Sequence, residues 1–223
     1  MRTSIVIPAL NEAEGIGVVL AEIPMHLVRE VIVVDGGSKD DTVAVAASQG
    51  ATVILEPRRG YGRACASGAA AACGEVIVFL DADGADDPTQ IGSLLAPIQA
   101  GKADMVLGSR LAGEMAAGAM PWHQRFGNRL SSHLFRILYA LPLTDLAPFR
   151  AVDREMLLDL DMQEMTYGWP TEMIAKAARR GWRIQEVPVR YRPRIGGVSK
   201  ISGTLRGTLL ATYFILSTIF RYA

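Results

Sequence analysis

Val76-Ile77-Val78-Phe79-Leu80-Asp81-Ala82-Asp83-Gly84 is the stretch on which the reading of this chain turns. Its first five residues, all large or β-branched and apolar, read as a strand buried on both faces. The two carboxylates that follow stand one residue apart where the chain leaves that strand. In open parallel sheets, ligands bind beyond the carboxyl ends of the strands. Paired acids at such an exit can hold a hard divalent ion that also takes phosphate oxygens, and that ion neutralises charge developing on a diphosphate leaving group. A solvated acidic turn is the competing account of the pair taken alone.

Working outward, strand-like runs recur at 3–7, 31–34, 52–55 and 105–107. Helical stretches lie between them at 14–23, 41–49, 63–72 and 88–99, with Ser38 and Asp40 as N-caps and Pro88 in a first turn. This βαβα rhythm predicts an α/β fold with a mainly parallel sheet flanked by helices. Polar residues and glycines follow each strand: Asn11 and Glu12, then Asp35-Gly36-Gly37-Ser38, then Ser109-Arg110. They outline one active-site rim. Beyond Arg110 the rhythm changes to a mobile loop over 111–121, a helix over 126–139, a structured turn over 144–150, a helix over 171–180 and a strand over 183–191.

The chain has 223 residues, half of them hydrophobic, and 23 basic residues against 23 acidic ones. That balance argues against a nucleic-acid binder driven by overall charge. Cys65 and Cys73 are too far apart for a metal or redox pair and read as buried small hydrophobes. With no secretory pattern at the N-terminus, a reducing, cytoplasmic setting is expected. Residues 204–219 are strongly apolar but bracketed by Arg206 and Arg221, which favours a docked or interface-lying helix over a span of about 20 residues.

A basic loop carries Arg194, Ser199 and Lys200 around Gly196-Gly197. Glycines let backbone amides approach an anion, and Arg and Lys add charge-assisted hydrogen bonds to phosphate. Alone this would be a solvated loop; opposite an acidic metal site it becomes the second half of a diphosphate clamp, with Arg110 a third positive group. Asp35 can accept from a ribose or a base edge, or can simply close a capping turn. Arg59-Gly60-Tyr61-Gly62 fails as a dinucleotide fingerprint, because Cys65 stands where a third glycine belongs. It is read as a nucleotide-facing loop. His26, His123 and His133 lack ligand spacing.

Taken together, these pieces resemble glycosyltransferase family 2, in the branch of dolichol-phosphate mannosyltransferases and polyprenyl-phosphate sugar transferases. The resemblance runs from about residue 4 to 203, through VIPALNE, VVDGGSKDDT, FLDADG, GSR and EVPVRYRPRIGGVSK in order. It implies a GT-A fold, a UDP- or GDP-sugar donor, Mg²⁺ or Mn²⁺, and inversion at the anomeric carbon. Residues 1–110 would form the nucleotide-sugar half, 111–203 the acceptor side and 204–223 an apolar C-terminal helix. Pro8, Leu10, Glu12, Val34 and Asp35 would line the nucleoside pocket. Asp81, Ala82 and Asp83 would meet the diphosphate, Asp81 and Asp83 holding the metal, while Arg110, Arg194 and Lys200 would hold the phosphates. Glu172 and Asp145 match acidic positions near the acceptor. The pattern departs at Gly36, where a second acid is usual, and at Ala85, which leaves Asp86 or Asp87 to complete the metal shell.

The expected chemistry is a single in-line displacement. A lipid-phosphate acceptor needs no general base; a hydroxyl acceptor would take Glu172, then Asp145. Peripheral membrane contact or a homodimer is the expected role of the C-terminal helix. Two rivals stand beside this reading. A haloacid-dehalogenase-type phosphatase shares the Asp-x-Asp-Gly pattern but carries it near the N-terminus, and a non-catalytic nucleotide-sugar binder would tolerate Gly36 and Ala85.

Overall fold

Period-two alternation within each strand sorts its side chains into two cores. The computed structural model, which describes residues 1–197 and 203–223, holds a seven-stranded sheet in the order β3-β2-β1-β4-β6-β5-β7. Its strands are β1 (Thr3–Ala9), β2 (Glu30–Asp35), β3 (Thr52–Leu55), β4 (Val76–Phe79), β5 (Met105–Ser109), β6 (Arg150–Asp153) and β7 (Ile184–Pro188). The helices are α1 (Ala13–Glu22), α2 (Thr42–Ser48), α3 (Tyr61–Ala71), α4 (Ile91–Gln99), α5 (Trp122–Tyr139), α6 (Arg154–Asp159), α7 (Trp169–Arg179) and α8 (Leu205–Arg221). Ile5, Ile7, Val33 and Val78 join one core with Ile16 of α1 and Leu94 of α4. Val6, Ile32, Ile77 and Phe79 join the other with Cys65 of α3, Phe135 of α5, Met173 of α7 and Ile219 of α8.

The expected parallel sheet is present, with one antiparallel insertion. Strand β6 runs antiparallel to both β4 and β5, while the other pairings are parallel. Sequence periodicity passes over β6 because it has four residues and begins and ends on charges. Arg150 is nevertheless fully buried. Its guanidinium donates to the carbonyls of Leu146 at 3.1 Å and Pro170 at 2.8 Å, and also to Ala147, so the turn before β6 is wound around it.

Three other expectations need correction. The loop over 111–121 is not free: Ala116 N donates to Tyr191 O at 2.9 Å and Tyr191 N to Glu114 O at 2.9 Å. A Cβ on Gly113 would lie 1.9 Å from Val189 O, so the backbones meet closely there. Gly60-Tyr61-Gly62 does not face a nucleotide through its glycines. Gly62 N and Arg63 N each donate at 3.2 Å, to Thr166 O and Met165 O, and a Cβ on Gly60 would lie 2.2 Å from Met165 O. Cys73 is exposed, whereas Cys65 is buried as read.

Helix α8 docks on α5 and α7. Tyr139 Oη donates to Ile219 O at 2.6 Å, Arg179 Nε to Tyr222 O at 2.9 Å, and Tyr222 Oη to Glu172 Oε1 at 2.7 Å. Among the described residues no helix is long and apolar enough to cross a membrane.

Gly68 lets α3 lie against the sheet, since a Cβ there would come 2.3 Å from Val6 Cγ1 and 3.0 Å from Val34 Cγ2. Gly68→Ala should therefore cost about 1–3 kcal/mol through overpacking. Gly127→Ala, on a helical site with nothing within 4 Å of the new Cβ, should raise stability by up to about 1 kcal/mol through helix propensity. Thermal melts of both variants check the contrast.

Candidate active site

Parallel strands deliver their exits to one edge, and this chain fills that edge with charge. Asp81 comes two residues after the end of β4 and is half-buried. Tyr61, in the first turn of α3, donates its phenol to Asp81 Oδ1 at 3.0 Å. Burial, reinforced by the neighbouring charge of Asp83, pushes the Asp81 carboxyl up to about 7. Asp83 is more open; its Oδ1 accepts from Ala85 N at 3.0 Å, which bends the turn back on itself. Asp86 is buried, with Oδ1 lacking a hydrogen-bond partner among the described residues. Burial and the charge of Asp81 drive its carboxyl well above the ordinary range. Asp87 is spent locally, accepting from Thr89 N at 3.1 Å and pairing with Arg190 at 2.9 Å.

The basic loop lies across this acidic turn. Arg192 N donates to Ala85 O and Ile195 N to Asp83 O, each at 2.8 Å. The Arg194 guanidinium stands 3.6 Å from Asp83 and forms a two-pronged pair with Glu12 at 2.8 and 3.0 Å. Gly84, at φ +73, takes a left-handed conformation that favours glycine, and a Cβ there would lie 2.6 Å from Ile195 Cδ1. Ser199 and Lys200 lie outside the described residues.

Arg110, at the end of β5, is buried and aimed by Asp145. Its Nε and Nη2 each donate to that carboxylate at 2.8 Å, and its backbone N does so at 3.0 Å. The ring of Tyr191 lies 5.1 Å beneath the guanidinium. Asp145 is held in turn by Glu186, which accepts from Asp145 N and Thr144 N at 3.0 and 2.9 Å. Asp145 is thus the residue that positions Arg110, not a base open to an acceptor.

The nucleoside candidates divide. Leu10 is partly exposed at the β1 exit, and Pro8 pairs with Val34 in the register of β1 and β2. Asn11, at φ +50, ties the two exits together by donating to Ser38 Oγ and accepting from Lys39 N, both at 2.8 Å. Asp35 accepts from Gly37 N at 2.9 Å and Ser38 N at 3.0 Å through Oδ2, as a capping turn would. Its buried Oδ1 has no partner among the described residues. Val34 and Ala82 are corrected: both side chains sit in the cores, so only their backbones reach the rim.

Asp81, Asp83, Arg110 and Arg194 line one cleft of about 280 Å³. His123 of α5 also lines it, together with residues the sequence pattern does not mark: Leu130 from α5, and Ala211, Ile215 and Leu216 from α8. Tyr61 also belongs to the site, and its only signal in the sequence is its place between the two glycines of Gly60-Tyr61-Gly62.

A family model described as glycosyl transferase family 2 matches residues 4–160. The chain belongs to glycosyltransferase family 2. An uncharacterized glycosyltransferase of Mycobacterium tuberculosis is 43% identical over 208 residues, spanning 93% of each chain. The polyprenol monophosphomannose synthase of Mycolicibacterium smegmatis is 30% identical over 222 residues, covering 91% of this chain and 82% of its own. Among solved structures, glucosyl-3-phosphoglycerate synthase from Mycobacterium tuberculosis, in complex with Mn²⁺, UDP-glucose and phosphoglyceric acid, has a TM-score of 0.81 and 25% identity. It covers 99% of this chain and 79% of that one. The phosphatase and the non-catalytic binder both fall with this family membership.

One acid of this glycosyltransferase is sealed away from the cleft. Glu172 is fully buried, accepting from Glu164 N at 2.7 Å, Gln163 N at 3.0 Å and Tyr222 Oη at 2.7 Å, with Lys176 Nζ at 2.7 Å. Those partners fill its lone pairs and anchor the end of α8, which corrects its reading as a general base. Burial opposes its charge, but the bonds from Lys176 and Tyr222 and the two backbone amides outweigh burial and hold it below 4.5. A carboxylate held low stabilises the fold above its ordinary range and loses that contribution as pH falls. Glu172→Gln should cost about 1–3 kcal/mol at neutral pH while leaving turnover by the folded fraction in place. In melts followed against pH, the gap to wild type should close as the pH drops below 4.5.

Proposed function

We propose that this glycosyltransferase transfers a sugar from a nucleoside diphosphate to a lipid phosphate in one displacement, with inversion at the anomeric carbon. The observation that carries the reading is a single cleft whose lining combines Asp81, Asp83, Arg110 and Arg194 with apolar residues of α5 and α8.

The donor's nucleoside would rest at the exits of β1 and β2, where the unpartnered Asp35 Oδ1 offers an acceptor. Its diphosphate would lie between the acids and the arginines. Arg194 would exchange part of its pairing with Glu12 and Asp83 for phosphate oxygens, a charge-assisted contact of the same kind. Arg110 is already oriented by Asp145 and keeps Nη1 outside that pair.

A divalent ion fits this chemistry. The charge of Asp83 adds to burial in raising the proton affinity of Asp81, the charges of Asp81 and Asp83 do the same for Asp86, and an orphaned buried oxygen remains on Asp86. An added cation would relieve both conditions. Asp81 and Asp83 would hold Mg²⁺ or Mn²⁺, supplying charge neutralisation to the departing diphosphate. Among the described residues no three acids, histidines or cysteines close a cage, so diphosphate oxygens would complete the shell.

A lipid phosphate suits the acceptor end for two reasons. Its phosphate is already anionic at neutral pH and needs no base, and both acids expected to serve as one are buried in ion pairs. The apolar wall of Leu130, Ile215 and Leu216 matches a hydrocarbon chain better than a polar metabolite.

Transfer from UDP- and GDP-sugars to polyprenyl phosphate, polyprenol and 3-phosphoglycerate tests the assignment. Product should form on polyprenyl phosphate, with the anomeric configuration inverted by NMR. Asp83→Asn should lower kcat/KM by on the order of 100-fold or more. Transfer confined to 3-phosphoglycerate, or retained configuration, would overturn it.

A further inference from the structure

We infer that the exposed face of α5 is a docking surface for an anionic lipid bilayer. Trp122, Phe126, Leu130 and Ile137 are 80, 64, 40 and 63% exposed. Their spacing puts them on one side of the helix, opposite the buried Ser131, Ser132 and Phe135. Arg125, Arg129 and Arg136 are exposed on the same side, and α5 contains no Asp or Glu. Single exposed apolar residues are ordinary on a protein surface, but a continuous stripe marks an interaction site.

The alternation of arginine with tryptophan, phenylalanine and leucine selects the occupant. Apolar groups of this kind enter the boundary between headgroups and acyl chains, while arginines reach outward to lipid phosphates. A second copy is the poorer match, because apposed α5 faces would bring arginines together with no carboxylate between them. Helix α8 extends the surface: Leu205, Leu209 and Tyr213 are exposed, Arg206 stands beside them, and this helix also lacks acids. The carboxyl ends of α5 and α8 meet where Tyr139 bonds Ile219, while earlier turns of both helices line the cleft. Leu130 belongs to the exposed stripe and to the cleft wall at once, so the stripe runs into the mouth of the site.

This surface deepens the lipid-phosphate reading and rests on it for its purpose, since an acceptor held in a bilayer would enter the cleft without crossing water. Vesicle binding requires neither donor nor acceptor, so the two ideas fail separately. The full chain should co-sediment with phosphatidylcholine vesicles containing phosphatidylglycerol, release on addition of salt, and bind pure phosphatidylcholine far more weakly. The triple variant R125A/R129A/R136A should lose on the order of 100-fold in vesicle affinity, at about 1 kcal/mol for each arginine. W122A should weaken the binding that survives salt. Both variants should keep the wild-type Tm and the wild-type rate on a short-chain, water-soluble acceptor. Absence of vesicle binding, or binding indifferent to the arginines, would overturn the inference. So would a concentration-dependent dimer that the same substitutions dissolve, which would assign the face to a second copy.

Discussion

Three carboxylates gathered in one partly buried turn after β4 set the terms for the rest of this molecule. Asp81, Asp83 and Asp86 are brought together by a strand that ends in the core and a turn that Gly84 allows, and burial plus mutual repulsion raises the proton affinity of Asp81 and Asp86. Such a cluster is costly unless cations compensate it. The chain answers with Arg110, set rigidly by Asp145, and with Arg194, brought over by a loop whose backbone is bonded to the acidic turn. The first is a fixed charge; the second is shared among Glu12, Asp83 and a carbonyl of its own loop. In the proposed reaction that difference matters, because only a shared cation can turn to a ligand without leaving a buried acid bare.

The sheet was readable because parallel strands buried on both faces are mostly apolar, and the runs at 31–34 and 76–80, with Ile5-Val6-Ile7 of the run at 3–7, say so directly. The site's acids and arginines were readable for a related reason: a strand's last residue fixes where the next side chain emerges. What could not be read was anything decided by a partner distant in sequence. Strand β6 is four residues inserted between β4 and β5, and its place depends on carbonyls that gather around Arg150. Val34 and Ala82 sit at rim positions in the chain, yet the pleat of β2 turns Val34 inward and the turn after β4 buries Ala82.

Glu172 and Asp145 illustrate the same limit for chemistry. Each is an acid near the acceptor side in sequence, and each is consumed by structure: one anchors α8 through Tyr222, the other aims Arg110. Their burial is what makes them rigid, and it also removes them from contact with an acceptor. The apolar part of the cleft lining instead comes from α5 and from α8, the helix whose sequence reads as docked or interface-lying. One set of residues therefore closes the second core, and its neighbours on the same helices shape the cleft.

The central claim is that the acids after β4 and Arg194 grip one metal-bound diphosphate between them. Titration calorimetry of UDP and GDP, in Mn²⁺ and in EDTA, tests it with wild type, Asp83→Asn, Arg194→Ala and the double variant. The account predicts tight binding of one nucleotide only with Mn²⁺, a loss in each single variant, and a double-variant loss smaller than the sum, as for groups that share a ligand. Binding indifferent to Mn²⁺, or losses that simply add, would contradict it.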